Sequence, residues 1–118
     1  MPPVNYYIKK KSLEKPGMDY TVRANIIPSL QDILAKELSC SERTITPADL
    51  RVRVIPYEHG VNTADHEIEV TAQVFEGRIG REDAISTATR DYLTENYPTV
   101  GTFFVLTKLC ILGYSRGK

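Results

Sequence analysis

The chain has 118 residues, of which 42% are hydrophobic and 25% charged, the make-up of a single soluble globular domain. Lys and Arg number 15 and Asp and Glu number 15, so net charge points to neither nucleic acid nor an anionic membrane as partner. The start carries charges where a signal peptide is apolar, and the most apolar stretch, TFFVLTKLCILGY, is short and broken by Lys108. No leader and no membrane span are therefore expected, and the chain reads as cytoplasmic.

The chain opens MPPV. Within a peptide Pro2 has no N–H and is inert, whereas at a processed N-terminus its nitrogen is a secondary amine that can take or give a proton. Val4, Tyr6 and Ile8 then share one face and Asn5, Tyr7 and Lys9 the other, which predicts a strand. KKSLEKPGMDY reads as a linker with a turn at Pro16-Gly17. From Asp19 to Cys40 the pattern is helical: Ile26, Leu30, Ile33, Leu34 and Leu38 recur at helical spacing, with Asp19 as a candidate cap. Pro28 conflicts with this, because an interior proline costs about 3 kcal/mol. It must kink the helix or mark its true first turn.

SERTITPAD is a loop. In DLRVRVIPYEHG, Leu50, Val52 and Val54 share one face and Arg51, Arg53 and Ile55 the other, a half-buried strand ending near Pro56. HGVNTAD is a turn-rich connection. HEIEVTAQVFEG alternates again, with Ile68, Val70, Ala72 and Val74 opposite Glu67, Glu69, Thr71, Gln73 and Phe75. GREDAISTATRDYLTENYP is an amphipathic helix with Ile85, Ala88, Tyr92 and Leu93 inward. Its first turn carries Glu82 and Asp83, where the helix dipole favours them. A long strand from Thr102 to Gly113 and the basic tail SRGK close the chain.

The order is strand, helix, strand, repeated: an α+β domain of two similar halves, about 2–58 and 66–114. Two architectures suit it. One is a ferredoxin-like sandwich. The other is two consecutive β-α-β units forming a four-stranded mixed sheet with two helices on one face.

Few residues offer chemistry. Cys40 and Cys110 lack metal-ligand spacing and read as two lone buried thiols rather than a bridge. His59 and His66 form no zinc signature, so no metal is expected. Arg51 and Arg53 share one strand face and by default are solvated or interface charges. Arg78 follows Gly77 at a strand-to-helix turn, where a cation opposes the helix dipole. That placement hints at service to an anion, with an ion pair to Glu76 as the plainer alternative.

Three features together resemble the tautomerase superfamily: Pro2, the VRV of DLRVRVIPYE, and the EGR of AQVFEGRIGREDA. The two β-α-β units and the doubled length are similar to its fused branch, which includes 5-carboxymethyl-2-hydroxymuconate isomerase and macrophage migration inhibitory factor. The resemblance implies a keto–enol isomerase acting on a small 2-oxo or 2-hydroxy acid. Pro2, freed by removal of Met1, would be general base and acid. Arg53 and Arg78, with Arg51 beside them, would bind the substrate carboxylate and polarise its oxygen. No cofactor is implied, and the assembly implied is a homotrimer, with the Glu69–Gln73 face turned into it. Neighbouring cations and partial burial would draw the Pro2 ammonium toward neutrality, where a proton shuttle works best. Arginine suits a planar carboxylate through two parallel charge-assisted hydrogen bonds.

The chain departs from the family pattern at Pro3, which follows the proline that the resemblance makes catalytic, and at Phe75, which stands where dehalogenating relatives carry a second arginine. The first half also has KKKSLEKPG in place of a second EGR turn. Two other readings compete: a catalytically silent oligomer of the same fold, and an unrelated ferredoxin-like small-molecule-binding module. Parallel pairing of the first two strands separates the tautomerase-type fold from the ferredoxin type.

Overall fold

The computed structural model describes residues 3–58 and 64–110. The alternation of Val4, Tyr6 and Ile8 produces strand β1 (Pro3–Lys9), with those three side chains buried. The other strands are β2 (Arg51–Tyr57), β3 (His66–Gln73) and β4 (Phe103–Cys110). They form one sheet in the order β2-β1-β3-β4. β1 and β2 are parallel, β3 and β4 are parallel, and β1 meets β3 antiparallel. The sheet is thus two β-α-β units joined along their first strands. Parallel neighbours require a long crossover, which a helix supplies in each half. The ferredoxin-like alternative needs antiparallel neighbours in each unit, and the β1–β2 pairing overturns it.

The expected linker after β1 contains two helical turns, α1 (Lys10–Leu13) and α2 (Met18–Thr21). Gly17, at φ 77°, caps α2; glycine takes this left-handed conformation without a Cβ clash. Asp19 is not the cap. It pairs with Arg23, whose Nε lies 3.0 Å from its Oδ1 one turn later. The chain stays helical through a widened π turn, Val22–Ile26, into α3 (Ile27–Leu38). The π turn resolves the proline conflict. Pro28 has no N–H and crowds the carbonyl of the preceding turn, and a wider turn there relieves both. The Tyr97 hydroxyl seals the same turn, donating to the Asn25 carbonyl at 2.9 Å and lying 2.6 Å from Ser29 Oγ.

A short 3-10 turn, Pro47–Asp49, leads into β2. Asp49 Oδ2 accepts from the Thr46 amide at 2.8 Å and from its hydroxyl at 3.0 Å. β2 runs through Pro56 to Tyr57, which an edge strand permits. In α4 (Glu82–Asn96) Ile85 and Leu93 are buried as expected, but Ala88 and Tyr92 are half-buried. Thr89 is buried instead, its hydroxyl donating to the Ile85 carbonyl at 2.8 Å. The predicted end of the last strand, the basic tail and most of HGVNTAD, including His59, lie outside the described residues. Cys40 and Cys110 are free and half-buried rather than buried.

α3 and α4 cover one face of the sheet. Leu30, Leu34, Leu38, Ile85 and Leu93 pack with Val4, Tyr6, Ile8, Ile68, Val70 and Ala72 into one core. The opposite face carries no helix. Phe104 and Leu106 of β4 are each about two-fifths exposed there, at 41% and 42%. Among the described residues no helix is long and apolar enough to cross a membrane.

Candidate functional site

The parallel register sets Pro3 beside Arg51 and Asn5 beside Arg53. All four alternate with Val4, Val52 and Val54, so they lie on the helix-free face. Both arginines are exposed. On the other side of β1, Asn5 pairs with Glu69. Asn5 Nδ2 donates to Glu69 Oε1 at 3.4 Å, and Lys108 Nζ lies 2.9 Å from Glu69 Oε2. The hydrogen bond from Lys108 holds the Glu69 carboxyl below the usual range, and Glu69 in turn raises the Lys108 ammonium. A polar band, Arg53–Asn5–Glu69–Lys108, therefore crosses the open face from edge to edge. Sequence periodicity placed Glu69 on this face. It also set Asn5 opposite the apolar face of β1, but it did not join Asn5 and Lys108 to Glu69, because only the strand register and packing make them neighbours.

Because β3 is antiparallel to β1, its end returns to the start of β1. The EGR turn, a 3-10 segment at Glu76–Arg78, follows there. Arg78 faces inward and is 1% exposed. Its Nε donates to the Leu38 carbonyl at 2.8 Å and its Nη1 to the Gln73 carbonyl at 2.8 Å. Its guanidinium carbon lies 4.8 Å from the centre of the Phe75 ring. Nη2 has no hydrogen-bond partner among the described residues. Burial lowers the pKa of this guanidinium. Arg81 serves the same helix end: its Nη1 donates to the Glu37 carbonyl at 3.2 Å and its Nη2 lies 3.3 Å from Glu37 Oε1.

These contacts explain a cation at an unfavourable helix start. Arg78 and Arg81 precede α4, yet they bind the last carbonyls of α3, where the helix dipole favours positive charge. The phenyl ring of Phe75, unreadable as a partner in sequence, forms one wall of the Arg78 slot.

Gly77 has a separate reason. A Cβ there would stand 2.7 Å from Cys40 Cβ, so only glycine lets the EGR turn approach the end of α3. Cys40 opens a tight turn closed by its amide to the Arg43 carbonyl at 2.9 Å and by the reverse bond at 3.2 Å. Glu42 Oε1 accepts from the Gly77 amide at 3.3 Å.

Of the four residues singled out by the sequence, Arg51 and Arg53 are brought together beside the first residues of β1. Arg78 lies at the same end of the sheet, turned into the protein. Pro2 and the side chain of Glu76 lie outside the described residues. A hollow lined by Lys10, Lys11, Glu14 and Glu58, and a groove lined by Asp83, Ser86, Thr87, Arg90, Phe104 and Val105, involve none of the four. Among the described residues no group of three or more His, Cys, Asp and Glu side chains is placed to hold a metal ion.

No protein-family model matches the chain, and no curated protein matches it. Solved structures do. A macrophage migration inhibitory factor-like protein from Entamoeba histolytica aligns with TM-score 0.58 and 11% identity, covering 93% of this chain and 89% of its own. A fused 4-OT symmetric trimer aligns with TM-score 0.58 and 12% identity over 92% of this chain and 85% of its own. A 5-carboxymethyl-2-hydroxymuconate delta-isomerase aligns with TM-score 0.57 and 12% identity over 98% of this chain and 85% of its own. At such identities the likeness is one of fold. The chain shares the α+β architecture of these three proteins along nearly its whole length.

Proposed function

We propose that the protein is a cofactor-independent isomerase that interconverts keto and enol forms of a small 2-oxo or 2-hydroxy acid. In this reading Met1 is removed and the Pro2 nitrogen carries the proton between substrate atoms. Arg51 and Arg53 grip the carboxylate. Arg78 contributes through Nη2, its one donor without a described partner, because Nε and Nη1 are committed to backbone carbonyls. Negative charge that develops on oxygen during enolisation is stabilised by these fixed cations. The working unit is a homotrimer assembled through the helix-free sheet face, and the cytoplasm is its matching location.

One observation supports this reading above the others: the β1–β2 register sets Arg51 beside Pro3, the residue after Pro2, and Arg53 beside Asn5 on the same face. The fold shared with a named isomerase and with a named 4-OT trimer adds support. The test is steady-state ketonisation of phenylpyruvate or a 2-hydroxymuconate. Replacing Arg53 by Ala should raise KM about 10- to 100-fold, the worth of a charge-assisted carboxylate contact. An unchanged KM in both Arg51→Ala and Arg53→Ala rejects the assignment.

A second reading, a catalytically silent oligomer of the same fold, is favoured by the burial of Arg78. A guanidinium that spends two of its donors on Leu38 and Gln73 serves the scaffold first. The same assay separates the two: the silent protein leaves the uncatalysed rate unchanged.

A further inference from the structure

Asn5 sits between two charged neighbours on the helix-free face. β1 lies between β2 and β3 in the sheet, and the registers pair Asn5 with Arg53 on one side and with Glu69 on the other. Adjacent strands are about 4.8 Å apart, so the three side chains rise from neighbouring points of one face. Glu69 fixes which way the Asn5 amide turns. Its Oε2 lies 2.9 Å from Lys108 Nζ, and its Oε1 lies 3.4 Å from Asn5 Nδ2. A carboxylate paired with an ammonium is ionised and can only accept, so the NH2 arm of Asn5 must face it. The carbonyl arm, Oδ1, has no hydrogen bond among the described residues. Arg53 is exposed and has no hydrogen bond or ion pair among them. Arg51 differs, because its register partner Pro3 has no polar side chain. In the β1–β2 pairing, a free guanidinium fork and a free amide oxygen therefore stand side by side only at Arg53 and Asn5.

We infer that Asn5 is a specificity-determining residue of the proposed site: its Oδ1 accepts from a hydroxyl carried next to the carboxylate that Arg53 holds. The inference rests on the isomerase reading for the role of Arg53. A carboxylate only accepts and matches the guanidinium fork. A hydroxyl on the adjacent carbon donates and matches Oδ1. A keto oxygen in the same place is a second acceptor, and it meets Oδ1 lone pair to lone pair. The site therefore favours the 2-hydroxy form of the acid over its 2-oxo form, because a site built to bond a hydroxyl rejects the analogue lacking it. Glu69 and Lys108 act through Asn5, as positioning residues. They keep the amide from flipping, which would present its NH2 arm to the ligand and invert the preference.

The test uses the full chain and reads binding by titration calorimetry, with no turnover required. Mandelate carries a hydroxyl beside its carboxylate, and phenylacetate is the same acid without it. The better-bound enantiomer of mandelate should bind about 10-fold more tightly than phenylacetate, the worth of one hydrogen bond. Asn5→Leu, close in size and without an acceptor, should bring the two acids to equal affinity. Should Asn5→Leu fail to fold, Asn5→Ala takes its place. Arg53→Ala should weaken both acids together. Equal affinity for the two acids in the wild-type protein, a preference that survives in the Asn5 variant, or binding of neither acid overturns the inference. The isomerase reading fails separately: a protein that ketonises no substrate yet keeps the mandelate preference loses that activity and retains the hydroxyl site.

Discussion

The hydroxyl of Tyr6 lies 2.7 Å from Nδ1 of His66, and both residues are closed off from solvent. The other ring nitrogen, Nε2, lies 3.0 Å from the Val100 carbonyl, which can only accept. Nε2 therefore carries the proton, and Nδ1 accepts from Tyr6. The Phe103 ring stacks on the imidazole at 4.7 Å. This chain of contacts ties β1, β3 and the approach to β4 at the end of the sheet away from the arginines.

Burial lowers the His66 pKa from its ordinary value of 6.5 and outweighs the Val100 carbonyl and Asp65, which favour the cation; Lys15 opposes it. Burial also pushes the Tyr6 phenol well up, so it stays a donor. A histidine depressed in the folded state contributes its stability fully above the unfolded value and loses it as pH falls through the folded one. The urea midpoint should therefore fall as pH drops below about 6.5, the ordinary value of the group. His66→Gln should flatten that slope, and an equally steep slope in the variant contradicts the assignment.

Tyr6→Phe removes the donor and leaves Nδ1 buried and unpaired. The expected loss is about 1–3 kcal/mol by denaturant unfolding. A smaller loss would mean that water enters the space.

At the other end, Arg78→Met should cost about 3 kcal/mol or more, because the carbonyls of Leu38 and Gln73 both lose a charged donor. Arg78→Lys should recover only part of this, since one ammonium cannot reproduce the guanidinium fork. Full rescue by lysine would show that charge, not geometry, holds the helix end.

Gly77→Ala should destabilise by about 1–3 kcal/mol through overpacking against Cys40. The double variant Gly77→Ala with Cys40→Gly should lose less than the sum of the two single changes. Strict additivity in that cycle contradicts the close approach.

The open sheet face carries Phe104 and Leu106, exposed large apolar side chains, next to the Asn5–Glu69–Lys108 band. The trimer proposed above would cover them. Leu106→Glu should then lower the mass seen by light scattering from trimer to monomer. A wild-type chain that already runs as a monomer removes that part of the proposal.

Much of the scaffold was legible in the letters. Val4, Tyr6 and Ile8, or Ile68, Val70 and Ala72, announce strands because period two has no other reading in a short segment. Leu30, Leu34 and Leu38 announce a helix, and the Pro28 conflict announced an irregularity, which is the π turn. Two things were not legible. Short helical turns such as Lys10–Leu13 and Met18–Thr21 are too brief to show periodicity. Partnerships between distant residues depend on register and packing. That is why Arg51 and Arg53 could be paired with each other from their spacing, but Arg78 could not be matched to Leu38, 40 positions earlier. The inward turn of Arg78 is set by the carbonyls waiting at the end of α3, and no local pattern around EGR records them.

The proposed activity turns on the nitrogen of Pro2, so the deciding measurement is the ketonisation rate of the wild-type protein against Pro2→Ala, each with its intact mass determined. The account predicts a wild-type mass lacking Met1 and a rate at least about 100-fold above the variant. Equal rates for the two, or full activity in a protein that retains Met1, would contradict it.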